Sequence, residues 1–177
     1  KFDSIVTHII IIDDACPEKT GEFVLRNNND ERVQVITHEK NQGVGGATIT
    51  GYRKAIELGS DIIVKVDGDG QMDPTMIQTL IGPIKRGEAD YAKANRFYRL
   101  QGLSKMPLLR LVGNLLLSFA SKMSSGYWKI FDPTNGFTAI HGKVAQELPL
   151  DKLHKGYFFE SDMLFQLNMS RAVVVDV

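Results

Sequence analysis

The sequence predicts an α/β fold, with a mostly parallel central sheet flanked by helices, on three observations. Apolar β-branched runs at residues 8–13 (HIIIID) and 62–66 (IIVKV) lack alternation, as strands covered on both faces of a sheet do. Segments with apolar residues at helical spacing fall between the strand-like ones, with short connections. Polar residues collect just past the strand segments: Asp13, Asp14, Asp67, Asp69, Asn95 and Arg96. Sheets of this class bind ligands beyond the carboxyl ends of their strands.

The length of 177 residues suits a single domain over 1–177 with a substantial core. Lys plus Arg and Asp plus Glu both number 21, so no basic field points to a nucleic-acid partner. A single cysteine, Cys16, excludes an intrachain disulfide framework and is compatible with a reducing compartment.

In chain order, strand 8–13 is broken by Asp14-Ala15-Cys16-Pro17, and a short helix follows through Phe23, Val24 and Leu25. Residues 32–38 form the second strand. The loop Asn41-Gln42-Gly43-Val44-Gly45-Gly46 opens a helix over 47–58, with Ile49, Ala55 and Ile56 on one face and Gly59 as its stop. After strand 62–66, Asp73 caps a helix that begins at Pro74 and carries Ile77, Leu80, Ile81 and Ile84. Residues 89–94 and 137–141 make two further strands, and Glu160 and Asp162 open a helix to residue 168. Residues 106–123 place Leu108, Val112, Leu115, Leu116 and Phe119 at helical spacing, opposite Arg110 and Lys122, with Tyr127, Trp128 and Lys129 beyond. That stripe fits a core helix or a face laid on a membrane surface.

The chemistry concentrates in residues 61–74, DIIVKVDGDGQMDP. Carboxylates at i and i+2 past a strand end, Asp67 and Asp69, can converge on one hard cation such as Mg²⁺ or Mn²⁺, which favours oxygen ligands. The same residues also make an ordinary solvated turn. An EF-hand loop is excluded, because Met72 stands where that loop needs glycine and Gln78 where it needs a bidentate glutamate. A dinucleotide-binding fold is excluded by order, since an acid-tipped strand precedes the glycines of residues 43–46. At 132–137, DPTNGF reads as a turn in which Asn135-Gly136 tolerates positive φ. Glu160 and Asp162 suit a helix dipole as well as a catalytic role.

Taken in sequence, IIIIDDACPEKT, NQGVGGATITGYRKA, VKVDGDGQMDP, NRF, DPTNGF and FFESDML resemble the inverting family-2 glycosyltransferases of GT-A fold, most closely those using polyprenyl- or dolichyl-phosphate acceptors. The resemblance spans nearly the whole chain. It implies a nucleotide-diphosphate-sugar donor, Mg²⁺ or Mn²⁺, and a lipid-phosphate or saccharide acceptor, at the cytoplasmic face of a membrane. It sets Asp13 and Asp14 against the donor's base and ribose, and puts Asn41, Gly43, Gly46, Asp67 and Lys93 on the donor side. Asp67 and Asp69 become the DxD metal pair, with Asp69 the direct ligand. The loop 132–137 would lie under the acceptor pocket.

The chain departs from that family at Ala15-Cys16, where Gly-Ser is usual. The family's first strand would precede Lys1 and its last basic segment would follow Val177. The resemblance thus implies a piece of a longer chain, with a central strand missing from its sheet. In the expected mechanism the cation, Arg96 and Lys93 stabilise the leaving diphosphate. A hydroxyl acceptor needs a base, for which Glu160 and Asp162 are the candidates, whereas a phosphate acceptor is already ionised. Rival readings are a sugar-nucleotide pyrophosphorylase and a non-catalytic nucleotide-sugar binding domain. Oligomeric state is not encoded in any of these features.

Overall fold

The computed structural model describes residues 4–95, 126–127, 130 and 135–177. Strand β1 (Ile9–Asp13) leads through α1 (Thr20–Asn27) to β2 (Val33–Thr37), and the two strands pair in parallel with Asp13 opposite Thr37. α2 (Gly43–Glu57) crosses to β3 (Ile62–Lys65). A 3-10 turn (Pro74–Met76), α3 (Ile77–Lys85) and β4 (Tyr91–Lys93) follow. The remaining described elements are β5 (Thr138–His141), α4 (Gly142–Glu147), a 3-10 turn (Leu150–Lys152), α5 (Phe159–Met169) and β6 (Val174–Asp176).

The α/β architecture is as expected, and the structure adds its strand directions. The four-stranded sheet has the order β3-β5-β4-β6, in which β5 runs antiparallel to β3 and β4 while β4 and β6 are parallel. Apolar runs reveal that a strand is covered but carry no direction, so the mixed sheet was not visible in them. Alternation of side chains divides this sheet cleanly. Ile62, Val64, Ala92, Ala139 and Val175 pack on Ile77, Leu80, Ile81 and Ile84 of α3. On the other face, Ile63, Tyr91, Ile140 and Val174 meet α2, α4 and α5 through Tyr52, Ala145, Met163, Leu164 and Leu167.

β1 and β2 form a separate two-stranded sheet. Between β1 and β3 lies a cavity of about 390 Å³, lined by Ile10, Ile12, Tyr52, Val64 and Val66 among others. The isoleucines of β1 are therefore only half-buried, although a run of four would be fully covered inside a continuous sheet.

α2 begins at Gly43, ahead of the expected residue 47, because its first amides find a carbonyl partner described below. α4 and β6 escaped the sequence patterns. α4 is one short turn-length helix, and β6 has three residues. No described helix is long and apolar enough to cross a membrane. The 106–123 stripe, Arg96, Trp128, Lys129 and residues 132–134 lie outside the described residues.

Candidate active site

Two hydrogen-bonded clusters stand at the strand ends. The first is built on β1. Buried Asp13 accepts from the Cys16 amide at 2.8 Å and the Gly21 amide at 2.7 Å, which fixes the turn into α1. Asp14 reaches across to the start of α2, accepting from the amides of Gln42 at 2.8 Å and Gly43 at 2.9 Å. Its Oδ1 also lies 2.6 Å from His38 Nδ1, and His38 Nε2 meets Thr50 of α2. Burial pushes the Asp14 carboxyl up, but the bonds from His38, Gln42 and Gly43 outweigh it and hold Asp14 below the usual carboxylate value. Asn41 donates to the Asp14 carbonyl.

The glycines that follow seat a loop. The amides of Gly45 and Gly46 both donate to the Lys155 carbonyl, at 2.8 and 3.1 Å. A Cβ at Gly45 would lie 2.3 Å from the His154 carbonyl oxygen, so only glycine admits this approach. Asp162 holds the other side of that loop by accepting from the His154 amide at 2.8 Å. Gly45, Gly46 and Asp162 thus join α2 to α5 through this loop, and the amides of Gly43, Gly45 and Gly46 already have protein acceptors.

The second cluster arises from cross-strand register. Lys65 of β3 and Lys93 of β4 both pair with Thr138 of β5, which sets the two lysines on one sheet face either side of that threonine. α5 packs over this face and lowers Glu160 between them. Its Oε1 lies 3.2 Å from Lys65 Nζ and its Oε2 3.2 Å from Lys93 Nζ. Lys93 is fully buried and also donates to the Asn135 carbonyl. Lys65 donates to Asp67 Oδ1 at 2.6 Å and to the Gly136 carbonyl at 3.3 Å. Buried Tyr52 and Tyr91 stand close by; burial, reinforced by the Glu160 charge, pushes both phenols up, so they stay neutral.

Gly136 has a different reason for being glycine than turn chemistry. It does not appear among the positive-φ residues. A Cβ there would fall 2.3 Å from Asp67 Oδ2 and 2.5 Å from Lys65 Nζ, so the position is set by close approach.

Asp67 and Asp69 sit on the turn beyond β3. Asp67 is half-buried, while Asp69 is exposed and accepts from the Gln71 amide through Oδ1 at 3.0 Å. Asp73 caps the next turn, accepting from Thr75 as expected. Among the described residues no three acidic, histidine or cysteine side chains form a ready-made metal cage. The donor set still fits Mg²⁺ or Mn²⁺: both carboxylates are oxygen ligands at i and i+2, each engages a protein donor through Oδ1, and such ions usually complete their shell with phosphate and water.

The structure thus brings Asp67, Lys93 and Glu160 into one network, and Asp13, Asp14, Asn41, Gly43 and Gly46 into another. Asp162 sits at the loop between α2 and α5, and Arg96 lies outside the described residues. The network's centre, Lys65, escaped sequence reasoning. Its signal was a lone charge inside an apolar strand, two residues before Asp67 and hence on the same face.

Comparison with known proteins adds an independent line. The family model described as "Glycosyl transferase family 2" matches residues 4–148. The UDP-N-acetylglucosamine–dolichyl-phosphate N-acetylglucosaminyltransferase of Methanococcus voltae is 39% identical over 146 residues, covering 75% of this chain and 58% of that protein. The undecaprenyl-phosphate mannosyltransferase of Micrococcus luteus is 28% identical, covering 96% of this chain and 69% of that one. Against the first of these the chain spans under two thirds of the relative's length. Among solved structures, glucosyl-3-phosphoglycerate synthase from Mycobacterium tuberculosis, in complex with Mn²⁺, UDP-glucose and phosphoglyceric acid, superposes with a TM-score of 0.60 at 22% identity. That match covers 95% of this chain and 57% of the other, and it supports the fold.

Proposed function

This chain belongs to glycosyl transferase family 2, and from that premise we propose that it carries the donor site of an inverting enzyme. The enzyme moves a sugar from a nucleotide diphosphate to a polyprenyl-phosphate acceptor. Relatives named for dolichyl- and undecaprenyl-phosphate transfer support the acceptor class. The family match weighs against the pyrophosphorylase and the non-catalytic readings.

One observation carries the choice of a phosphate acceptor. Each oxygen of Glu160 already faces a lysine ammonium, so this carboxylate is committed to holding cations in place. An acceptor phosphate, ionised near neutral pH with a second pKa of about 6, needs cations to position it and no base. A sugar hydroxyl would need a free base, and Glu160 is not one.

In this reading Asp67 and Asp69 hold Mg²⁺ or Mn²⁺, which when bound supplies Lewis-acid stabilisation to the leaving diphosphate. Lys65 and Lys93 set a positive floor beneath that turn, and Glu160 keeps the two ammonium groups in register. Asp13 and Asp14 shape the base and ribose side from β1, Asp14 drawing in Asn41 and Gly43 at the start of α2, while Gly45, Gly46 and Asp162 assemble its wall by docking the 154–156 loop on α2. The acceptor places the reaction at a membrane surface, on its cytoplasmic face.

The slot between β1 and β3 belongs to the same proposal: in a longer chain it takes an apolar strand that joins the two sheets. Hydrogen exchange on the natural full-length protein should then show Ile9–Ile12 amides strongly protected, relative to the 177-residue chain. Equal exchange in the two proteins would contradict the strand.

The acceptor is tested by incubating full-length protein with labelled UDP-N-acetylglucosamine or GDP-mannose, Mn²⁺, and either dolichyl phosphate or a soluble oligosaccharide. Label should pass to the lipid phosphate with the anomeric configuration inverted. Transfer only to the oligosaccharide would reverse the acceptor assignment.

A further inference from the structure

Lys65 occupies a position that matters to the carboxylate pair beside it. Its Nζ lies 2.6 Å from Asp67 Oδ1, 3.2 Å from Glu160 Oε1 and 3.3 Å from the Gly136 carbonyl oxygen. The ammonium is largely buried, with 8% of the side chain exposed, so water screens it poorly. A divalent cation arriving at Asp67 meets a positive charge already bonded to the inner oxygen. Two cations at one carboxylate repel each other unless further negative charge joins them. Lys65 also has somewhere else to lean: its contacts with Glu160 and the Gly136 carbonyl remain when it withdraws from Asp67. The absence of a side chain at Gly136 leaves the space in which that withdrawal happens, since a Cβ would sit 2.5 Å from the ammonium.

We propose that Lys65 is a built-in counter-ion that competes with the divalent cation for Asp67. The empty site then binds the cation weakly, and cation and nucleotide diphosphate load together, because the diphosphate brings the charge that balances both cations. Lys65 is a positioning residue that acts through Asp67, and the inference rests on the metal reading of Asp67 and Asp69.

The test is Mn²⁺ binding, followed by the loss of its free-ion EPR signal, in full-length protein with and without UDP. Wild type should bind Mn²⁺ weakly alone and more tightly with UDP. Lys65→Met should bind Mn²⁺ alone about ten-fold more tightly, the size expected when one like charge leaves a partly buried site. The gain from UDP should shrink, and the tightening of UDP by Mn²⁺ should shrink by that same factor, since coupling between two ligands is reciprocal. Lys65→Arg, which keeps the charge, should behave as wild type. Mn²⁺ affinity in Lys65→Met that is unchanged or weaker overturns the proposal. Should that variant melt well below wild type, Lys65→Gln keeps a hydrogen-bond donor for Glu160 while losing the charge, and an unchanged affinity there overturns it equally. Failure of wild type to bind Mn²⁺ with UDP and with GDP alike overturns the metal reading itself, and is told apart by needing no variant.

Discussion

Glu160→Ala is expected to lower stability by about 3 kcal/mol, the low end of what breaking a buried ion pair costs. For a chain of this size that corresponds to a melting point lower by roughly 6–12 °C. The effect follows from where the remaining charges are. Lys93 is fully buried and Lys65 nearly so, and Glu160 is the carboxylate that faces both. Removing it takes the shared carboxylate from two buried ammonium groups, one on each of the strands that flank β5. Lys93→Met added to Glu160→Ala should recover much of the loss, because an apolar side chain tolerates the buried position that a lone ammonium does not. Differential scanning calorimetry checks both steps. A residue acting only as a general base would give the opposite pattern, with turnover abolished and the melting point within about 1 °C of wild type. That result would return Glu160 to the role of base and reopen the hydroxyl acceptor.

The strands and helices that surround the site were legible because each has a period and a stop. Strand β3 stops just before Asp67 and Gly68, α2 ends near Gly59, and Asp73 caps the turn that Pro74 opens. What could not be read was everything decided by pairing across the chain. The reversal of β5 depends on its route into the sheet, and nothing in residues 138–141 records it. The glycines at 43–46 look like a phosphate cradle, yet the amides of Gly45 and Gly46 serve the Lys155 carbonyl more than a hundred residues away and that of Gly43 serves Asp14. Gly136 looks like a turn glycine until Asp67 and Lys65 are placed against it. Glu160 looks like a base because a carboxylate alone shows no partners, and its two lysines come from strands 67 and 95 residues distant in sequence. Lys65 was the readable exception that was passed over: a charge in an apolar strand, in phase with Asp67, already implied a buried partner.

In the proposed reading the turn at Asp67 and Asp69 holds a divalent cation and, through it, the donor diphosphate. Asp69 is the better test of the two. It is exposed, its Oδ1 accepts from the local Gln71 amide alone among the described residues, and an asparagine side chain can keep that bond with its own carbonyl. Asp67, by contrast, is tied to Lys65, so its loss would disturb the buried network as well. Asp69→Asn should therefore leave the melting point within about 1 °C of wild type, as surface changes away from packed features do. It should also remove a charged ligand from the cation. Supporting residues behind a metal site are worth about 10–100-fold in metal affinity, and a direct ligand should reach at least the top of that range. The measurement is calorimetric titration of UDP and GDP into full-length protein, with Mn²⁺ and then with EDTA. Mn²⁺ should tighten wild-type binding of one of these nucleotides, and Asp69→Asn should lose this gain by about 100-fold while keeping its fold. Unchanged Mn²⁺-dependent affinity in the folded variant would contradict it.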